Sequence, residues 1–467
     1  MKKYDNYKDS GIEWIGDIPE HWNVKRLKNI GSLYSGLSGK SGSDFEKVPT
    51  ENFKPFINFT NIANNKYIVG DNFGFVKIDE NENQNKVKKN DLFFLMSSEN
   101  QEDVGKSALL LNDYNELYLN SFCKGFRLTI NSDARFVNYL LTSSALSQLI
   151  SLEGRGFTRI NLRMEGVENL PIILPQSIEE QTSIANFLDH KTTQIDHLIA
   201  KKEQFIQLLE EERVAVINQA VTKGLDPNVA MNDSGVKWLG EIPEHWEVKK
   251  LKQIFNSSKG LTITKENLES EGIPCVNYGE IHSKFGFEVD IDKHQLKCVN
   301  PTYLVSDYKS LIQTGDFVFA DTSEDVSGAG NFTYLKSNHE IFAGYHTIIL
   351  RALVDIESRY FAYQFDSIPY RTQIRQSVKG IKVFSITQGI LKNTSLWIPP
   401  IDEQKQIIEF LDIETNRIVS LKNSAIKEIE LLKEFKTALI SEVVTGKVDV
   451  STSSTQVLGI TPKIRTA

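Results

Sequence analysis

The sequence predicts a mixed α/β chain written as one module twice over: a globular domain and a long helix, then the same pair again. Three observations predict it. The segment DSGIEWIGDIPEHW at 9–22 returns as DSGVKWLGEIPEHW at 233–246, with 10 of 14 positions identical at an offset of 224. Each half closes on a proline-flanked segment followed by apolar residues spaced three and four apart, the period of a helix. Between these, short β-branched and aromatic runs alternate with Asn, Gly and Asp clusters, the pattern of strands and turns.

Taken in chain order, the opening MKKYDNYKDSGIEW carries lysines but lacks the apolar core of a secretory signal, and no later stretch approaches an uninterrupted membrane span. The three cysteines, Cys123, Cys275 and Cys298, form no CxxC pair and have no histidine at zinc-ligand spacing, so a reducing, cytoplasmic home is expected. Four of the five tryptophans, Trp14, Trp22, Trp238 and Trp246, lie in the repeated motif, where their bulk predicts that they pin the start of each domain to a scaffold. His21 and His245, each in Pro-Glu-His-Trp, read as packing or capping residues rather than a symmetric pair of catalytic bases.

The first globular domain is placed at 1–175, with runs such as DLFFLM at 91–96 as strands, and the second at 227–398, with DFVFA at 316–320. The first helical segment, 176–226, carries Ile184, Leu188, Ile195, Leu198, Phe205, Leu209 and Val216. Its copy, 399–450, carries Ile407, Leu411, Ile418, Leu421, Ile429, Leu432, Leu439 and Val443. Each helix is expected to run about 40 residues, or ~60 Å, and a seam so narrow on a helix so long is typically covered by another helix, with two separate bundle helices as the bland alternative. The two copies are the obvious partners. Residues 451–467 read as a flexible tail.

LPIILPQSIEEQTSIANFLD at 170–189 is echoed by SLWIPPIDEQKQIIEFLD at 395–412, and AVTKGLD at 220–226 by VVTGKVD at 443–449. Matches in the same order at a nearly constant offset mark duplication of a whole module. The blocks between them resemble each other weakly, so the frame holds position and the blocks carry distinct specificities.

Hydrophobic and charged fractions of 40% and 24% are those of an ordinary folded protein. A net charge of −8 opposes a broad nucleic-acid footprint, yet residues 1–175 carry only about −1 and 227–398 about −2, while 176–226 carry −4. The acidity is concentrated partly on the scaffold.

Catalytic motifs fail on inspection. GLSGKS at 36–41 has Tyr34 where a phosphate-cradling loop needs its first glycine. The double proline Pro399-Pro400 sits between isoleucines, not in the polar-Pro-Pro-aromatic setting of an amino-methyltransferase. Acid-x-Lys triplets, among the neighbours of Asp91 to Ser97 and at 403–405 and 434–436, could suggest a nuclease, but the latter two lie on helical faces that carry such pairs routinely.

What remains is a basic loop found at the same place in both halves. Arg155, Thr158, Arg159, Asn161 and Arg163 stand opposite Lys379, Lys382 and Ser385, with Arg371 and Arg375 extending the second surface. Guanidinium and ammonium groups bind phosphates or guanine edges, and short hydroxyls and amides add donors and acceptors. A solvated turn is the bland alternative; recurrence favours DNA.

These residues resemble the specificity subunit of type I restriction-modification enzymes over essentially the whole chain. The resemblance is carried by WIGDIPEHW and WLGEIPEHW, by EEQ at 179–181 and DEQ at 402–404, by FLD at 187–189 and 410–412, and by VTKGLD at 221–226. It implies two target-recognition domains held apart by two long antiparallel coiled-coil helices about a pseudo-twofold, each domain reading one half of an asymmetric, interrupted double-stranded DNA target. It further implies a non-catalytic chain without metal or cofactor, docking two methyltransferase subunits and, through them, restriction/translocase subunits, with S-adenosylmethionine, ATP and Mg on those partners. The departures are TGK at 445–447 against TKG at 222–224 and one residue fewer before the second helix. A structural adaptor that reads no DNA, and a hidden nuclease or methyltransferase, are the rival readings.

Overall fold

The two central strands, Leu92–Leu95 and Phe317–Ala320, are apolar at every position because both faces of each are covered, the case in which a strand loses its alternation. The computed structural model describes residues 2–48, 52–70, 72–79, 81–101, 103–380 and 382–450. It divides into two compact units, Met1–Lys202 with Lys427–Ala467, and Glu203–Ile426. The division differs from one that sets each helix apart as its own segment: each unit takes the start of one long helix and the end of the other.

In the first unit a five-stranded sheet runs in the order Gly31–Ser35, Cys123–Leu128, Leu92–Leu95, Ser107–Leu110, Tyr67–Ile68. A four-stranded sheet, Tyr118–Leu119, Phe53–Ile57, Gly74–Lys77, Phe45–Glu46, accompanies it. The second unit repeats the plan with Phe255–Lys259, Thr347–Ala352, Phe317–Ala320, Phe332–Leu335, Phe287–Val289, and a four-stranded companion sheet. Two domains with little sequence in common thus share the strand order of the five-stranded sheet, while the edge strands of their companion sheets differ. Asp91 and Asp316, at the foot of the central strands, are buried and held by Arg127 (2.6 and 2.8 Å) and Arg351 (3.0 Å), so the acidic residue near the nuclease-like run is a buried ion-paired cap.

Each domain's ends lie side by side. Trp22–Arg26 pairs antiparallel with Pro171–Pro175, and Glu247–Lys250 with Ser395–Ile398, which delivers the chain directly to the long helices Ile178–Lys223 and Ile401–Val444. In the first unit Lys436 reaches Asp196 at 2.6 Å and Lys202 pairs with Glu428; in the second Arg417 reaches Glu212 at 2.6 Å and Lys422 reaches Glu210. Rising numbers on one helix meet falling numbers on the other, so in both units the helices run antiparallel.

Ile184, Leu188, Ile195 and Leu209 are buried, as are Ile407, Leu411, Ile418, Ile429, Leu439 and Val443, while Val216 and Leu432 are partly buried. Leu198, Phe205 and Leu421 are not in the seam: they are 45%, 42% and 38% exposed. The heptad runs instead through Ile195, Ile199, Lys202, Ile206, Leu209, Arg213, Val216 and Ala220, and through Ile418, Lys422, Ala425, Ile429, Leu432, Lys436, Leu439 and Val443. Four cations, Lys202, Arg213, Lys422 and Lys436, occupy seam positions half-buried, and their heads pair with Glu428, Asp366, Glu210 and Asp196. Following apolar residues alone steps over those cations and lands one position early. The expected flexible tail, 451–467, lies outside the described residues. No helix among the described residues is long and apolar enough to cross a membrane.

Candidate nucleic-acid interface

The repeated motif residues meet one another in space. Glu180, in the first turn of the first long helix, accepts from Trp22 Nε1 at 3.0 Å and Tyr4 Oη at 2.9 Å, with His21 Nε2 at 2.9 Å. Glu403 repeats this with Trp246 Nε1 at 3.1 Å and His245 Nε2 at 2.7 Å. The next residue, Gln181, donates to the carbonyl of Pro175 and accepts from Asp133 N and Ser132 Oγ; Gln404 donates to Pro399 and accepts from Glu357 N.

Two turns on, Asp189 accepts from Tyr139 Oη at 2.8 Å, Tyr67 Oη at 2.5 Å and Arg135 at 3.2 Å, and Asp412 accepts from Tyr363 Oη at 2.5 Å and Arg359 at 2.8 Å. Burial first, and then Asp189, pushes the Tyr139 hydroxyl above its ordinary range, while burial pulls the Lys66 ammonium down to about 8 against the attraction of Asp189. EEQ, DEQ and both FLD segments therefore fasten each helix to its domain. His21 and His245 are part of that fastening. Among the described residues, Trp14 and Trp238 of the same motif make no hydrogen bond of this kind.

The first basic loop sits on a short hairpin. Gly154–Arg155 pairs with Ile160–Leu162, which also pairs with Ser97–Ser98 after the central strand. Gly156 has φ 138°, and a Cβ there would stand 2.0 Å from the Arg159 carbonyl oxygen, so only glycine turns this corner. Arg155, Thr158, Arg159, Asn161 and Arg163 are all exposed. Arg159 is nevertheless fixed, donating from Nε to Ser97 Oγ at 2.7 Å with its guanidinium 4.9 Å from the Phe122 ring centre.

In the second unit Phe384–Ser385 pairs with Thr322–Ser323 in the same way, and a Cβ on Gly380 would stand 2.1 Å from the Val383 carbonyl oxygen. Lys379, Lys382 and Ser385 are exposed on this turn. Arg371 and Arg375 lie apart from them, on the helix Ile368–Ser377. Arg371 donates to Asn331 at 2.6 Å and pairs with Asp366 at 3.1 Å, and Arg375 donates to the Ser327 carbonyl at 2.7 Å. Burial, then the neighbouring Arg371, lowers the Arg375 pKa. These two arginines brace a loop.

That loop, 321–331, and its counterpart 97–106 were missed in the sequence. Glu99, Asn100 and Gln101 are exposed beside the first hairpin, and Glu324, Asp325 and Ser327 beside the second. Amide side chains next to arginines suit base edges. The available signal was the polar run directly after each all-apolar strand. Among the described residues, no group of three or more His, Cys, Asp or Glu could hold a metal ion.

Residues 19–208 and 243–431 match the family model for the type I restriction modification DNA specificity domain. The chain is 24% identical to the type I restriction enzyme MjaVIII specificity subunit of Methanocaldococcus jannaschii, covering 96% of this chain and 97% of that protein. It is 25% identical to the EcoKI specificity subunit of Escherichia coli over 84% and 82% of the two chains.

Two solved structures share the fold at 15% identity. One, a chain from work on complex assembly and conformational transition of the type I R-M system, superposes with a TM-score of 0.70 over 92% of this chain and 99% of that one. The other, the HsdS subunit from Thermoanaerobacter tengcongensis, superposes with a TM-score of 0.57 over 92% and 98%. With the family domain matched in both halves, and the frame residues meeting in the same way twice, the chain belongs to the type I restriction-modification DNA specificity family, and its task is to recognise DNA sequence.

Proposed function

We propose that the two basic turns are the reading heads of a bipartite DNA target, each domain reading one half-site, and that the helices set the spacing and dock methyltransferase subunits. The observation that carries this is the recurrence of one exposed basic turn with a glycine at the same place, on two domains that differ in sequence and are held by nearly identical frames. The docking reading is supported by large apolar side chains left exposed along the helices, among them Leu198, Leu431 and Phe435 in the first unit and Phe205, Leu208 and Ile413 in the second.

On this reading the chain works in the cytoplasm and performs no chemistry of its own. S-adenosylmethionine, ATP and Mg act on the methyltransferase and restriction/translocase subunits. The isolated chain incubated with DNA and S-adenosylmethionine, or with a divalent metal, is expected to show no turnover.

The decisive experiment exchanges residues 23–170 for the corresponding block of a relative and maps methylated adenines in the genome of cells making the chimera. One half-site is expected to change while the other half-site and the gap persist. If both half-sites changed, or neither did, the division of reading between the domains would be wrong. If binding by the methyltransferase complex did not distinguish target from scrambled duplex at a stated salt concentration, an adaptor that reads no DNA would be the better description.

A further inference from the structure

We propose that Phe157 is a wedge that inserts between stacked base pairs of the half-site read by the first unit. The inference rests on the reading that the hairpin faces DNA.

Phe157 stands at the tip of that hairpin with its side chain wholly in water, 106% exposed, in a unit whose Phe93, Phe94, Phe126 and Phe136 are fully buried. The backbone that carries it is a constrained corner. Gly156 holds a left-handed corner in close contact with the Arg159 backbone, and Arg159 is itself tied to Ser97 and to the face of Phe122. The turn thus presents an aromatic ring to solvent at the tip of a hairpin whose backbone corner requires glycine and whose neighbouring Arg159 is anchored.

The surroundings select the partner. Arg155, Arg159 and Arg163 lie within nine residues of chain, and Thr158 follows the ring directly. An apolar protein surface closing over Phe157 would strip water from those guanidinium groups without pairing them, a costly exchange. A base stack offers an aromatic surface with phosphates on either side, so the ring gains stacking while the arginines gain anions. The corresponding turn of the second unit presents Val383, half exposed and smaller, which makes the effect specific to one half-site.

The test uses the full chain assembled with methyltransferase subunits and a duplex carrying the target found by methylation mapping. 2-Aminopurine replaces, in turn, each adenine other than the one that is methylated, and neighbouring positions outside the recognised bases. Binding is expected to raise fluorescence at one step of the first half-site. Phe157→Ala should abolish that rise and weaken binding roughly tenfold, leaving signals in the second half-site unchanged. Phe157→Trp should keep the rise and show its own emission quenched on binding.

An unchanged rise and unchanged affinity in Phe157→Ala overturn the wedge while leaving the DNA reading intact. So does a Phe157→Ala chain that loses methyltransferase binding but not the unstacking signal, since the ring then belongs to a protein contact. Failure of the unaltered complex to prefer its target over a scrambled duplex overturns the reading beneath the wedge, and is seen before any variant is made.

Discussion

Glu180 is the residue on which most of the first frame converges, taking hydrogen bonds from Trp22 and Tyr4 and lying against His21. Removing it strands the indole N–H of the fully buried Trp22, and a buried donor left unpaired costs about 1–3 kcal/mol. Glu180→Ala is therefore expected to lower the unfolding free energy by that margin, and Glu180→Gln, which keeps one acceptor, by less, as read by chemical denaturation; equal effects would count against the hydrogen bonds as the cause. On the hairpin, Arg155→Ala should weaken DNA binding across all sequences and reduce the slope of log affinity against log salt by about 1, the signature of one lost phosphate contact, read by titration at several salt concentrations. The motif histidines were legible as structural because each preceded a large anchor in a turn. Their partner was not legible, because it lies 159 residues further along the chain for His21 and 158 for His245.

The long helices show where a sequence period misleads. Apolar residues at spacings of three and four located both helices and most of the seam, yet chose Leu198, Phe205 and Leu421 because the heptad passes through Lys202, Arg213, Lys422 and Lys436, residues that an apolar pattern skips. The phase can be tested directly. Leu209→Ala, at a buried position, should cost about 2–5 kcal/mol, whereas Leu198→Ala should change stability by no more than about 0.5 kcal/mol, as read by chemical denaturation. Comparable losses at both positions would mean that the exposed leucine is part of the seam after all. The strands were legible through their composition, but their order in the sheets was not: a run such as DLFFLM does not say that Cys123–Leu128, not the next strand in the chain, lies on one side of it.

Across the whole chain the duplication was plain in the sequence, and so was the contrast between conserved frame and divergent blocks. The identity of individual DNA contacts was not, because Arg371 and Arg375 are as basic as Arg155 but are turned to brace a loop. Both units also bury tyrosines in equivalent places, and burial together with a nearby carboxylate raises the pKa of Tyr139 and Tyr363. A hydroxyl whose folded pKa lies above its unfolded value adds stability that is complete below pH ~10 and is lost as pH climbs through and beyond that point. Stability should therefore fall above about pH 10, and less steeply in Tyr139→Phe and Tyr363→Phe; a drop of unchanged steepness in both would assign the alkaline loss to other groups. The fastenings along the helices have a mechanical corollary. From Glu180 and Gln181 through Asn186 and Asp189 to Thr192, the first helix is bolted to its domain at successive turns, and Glu403 through Asp412 to Thr415 does the same for the second. Over that length helix and domain act as one lever arm without a joint. A rotation of either helix over that length must carry its domain with it or break those hydrogen bonds.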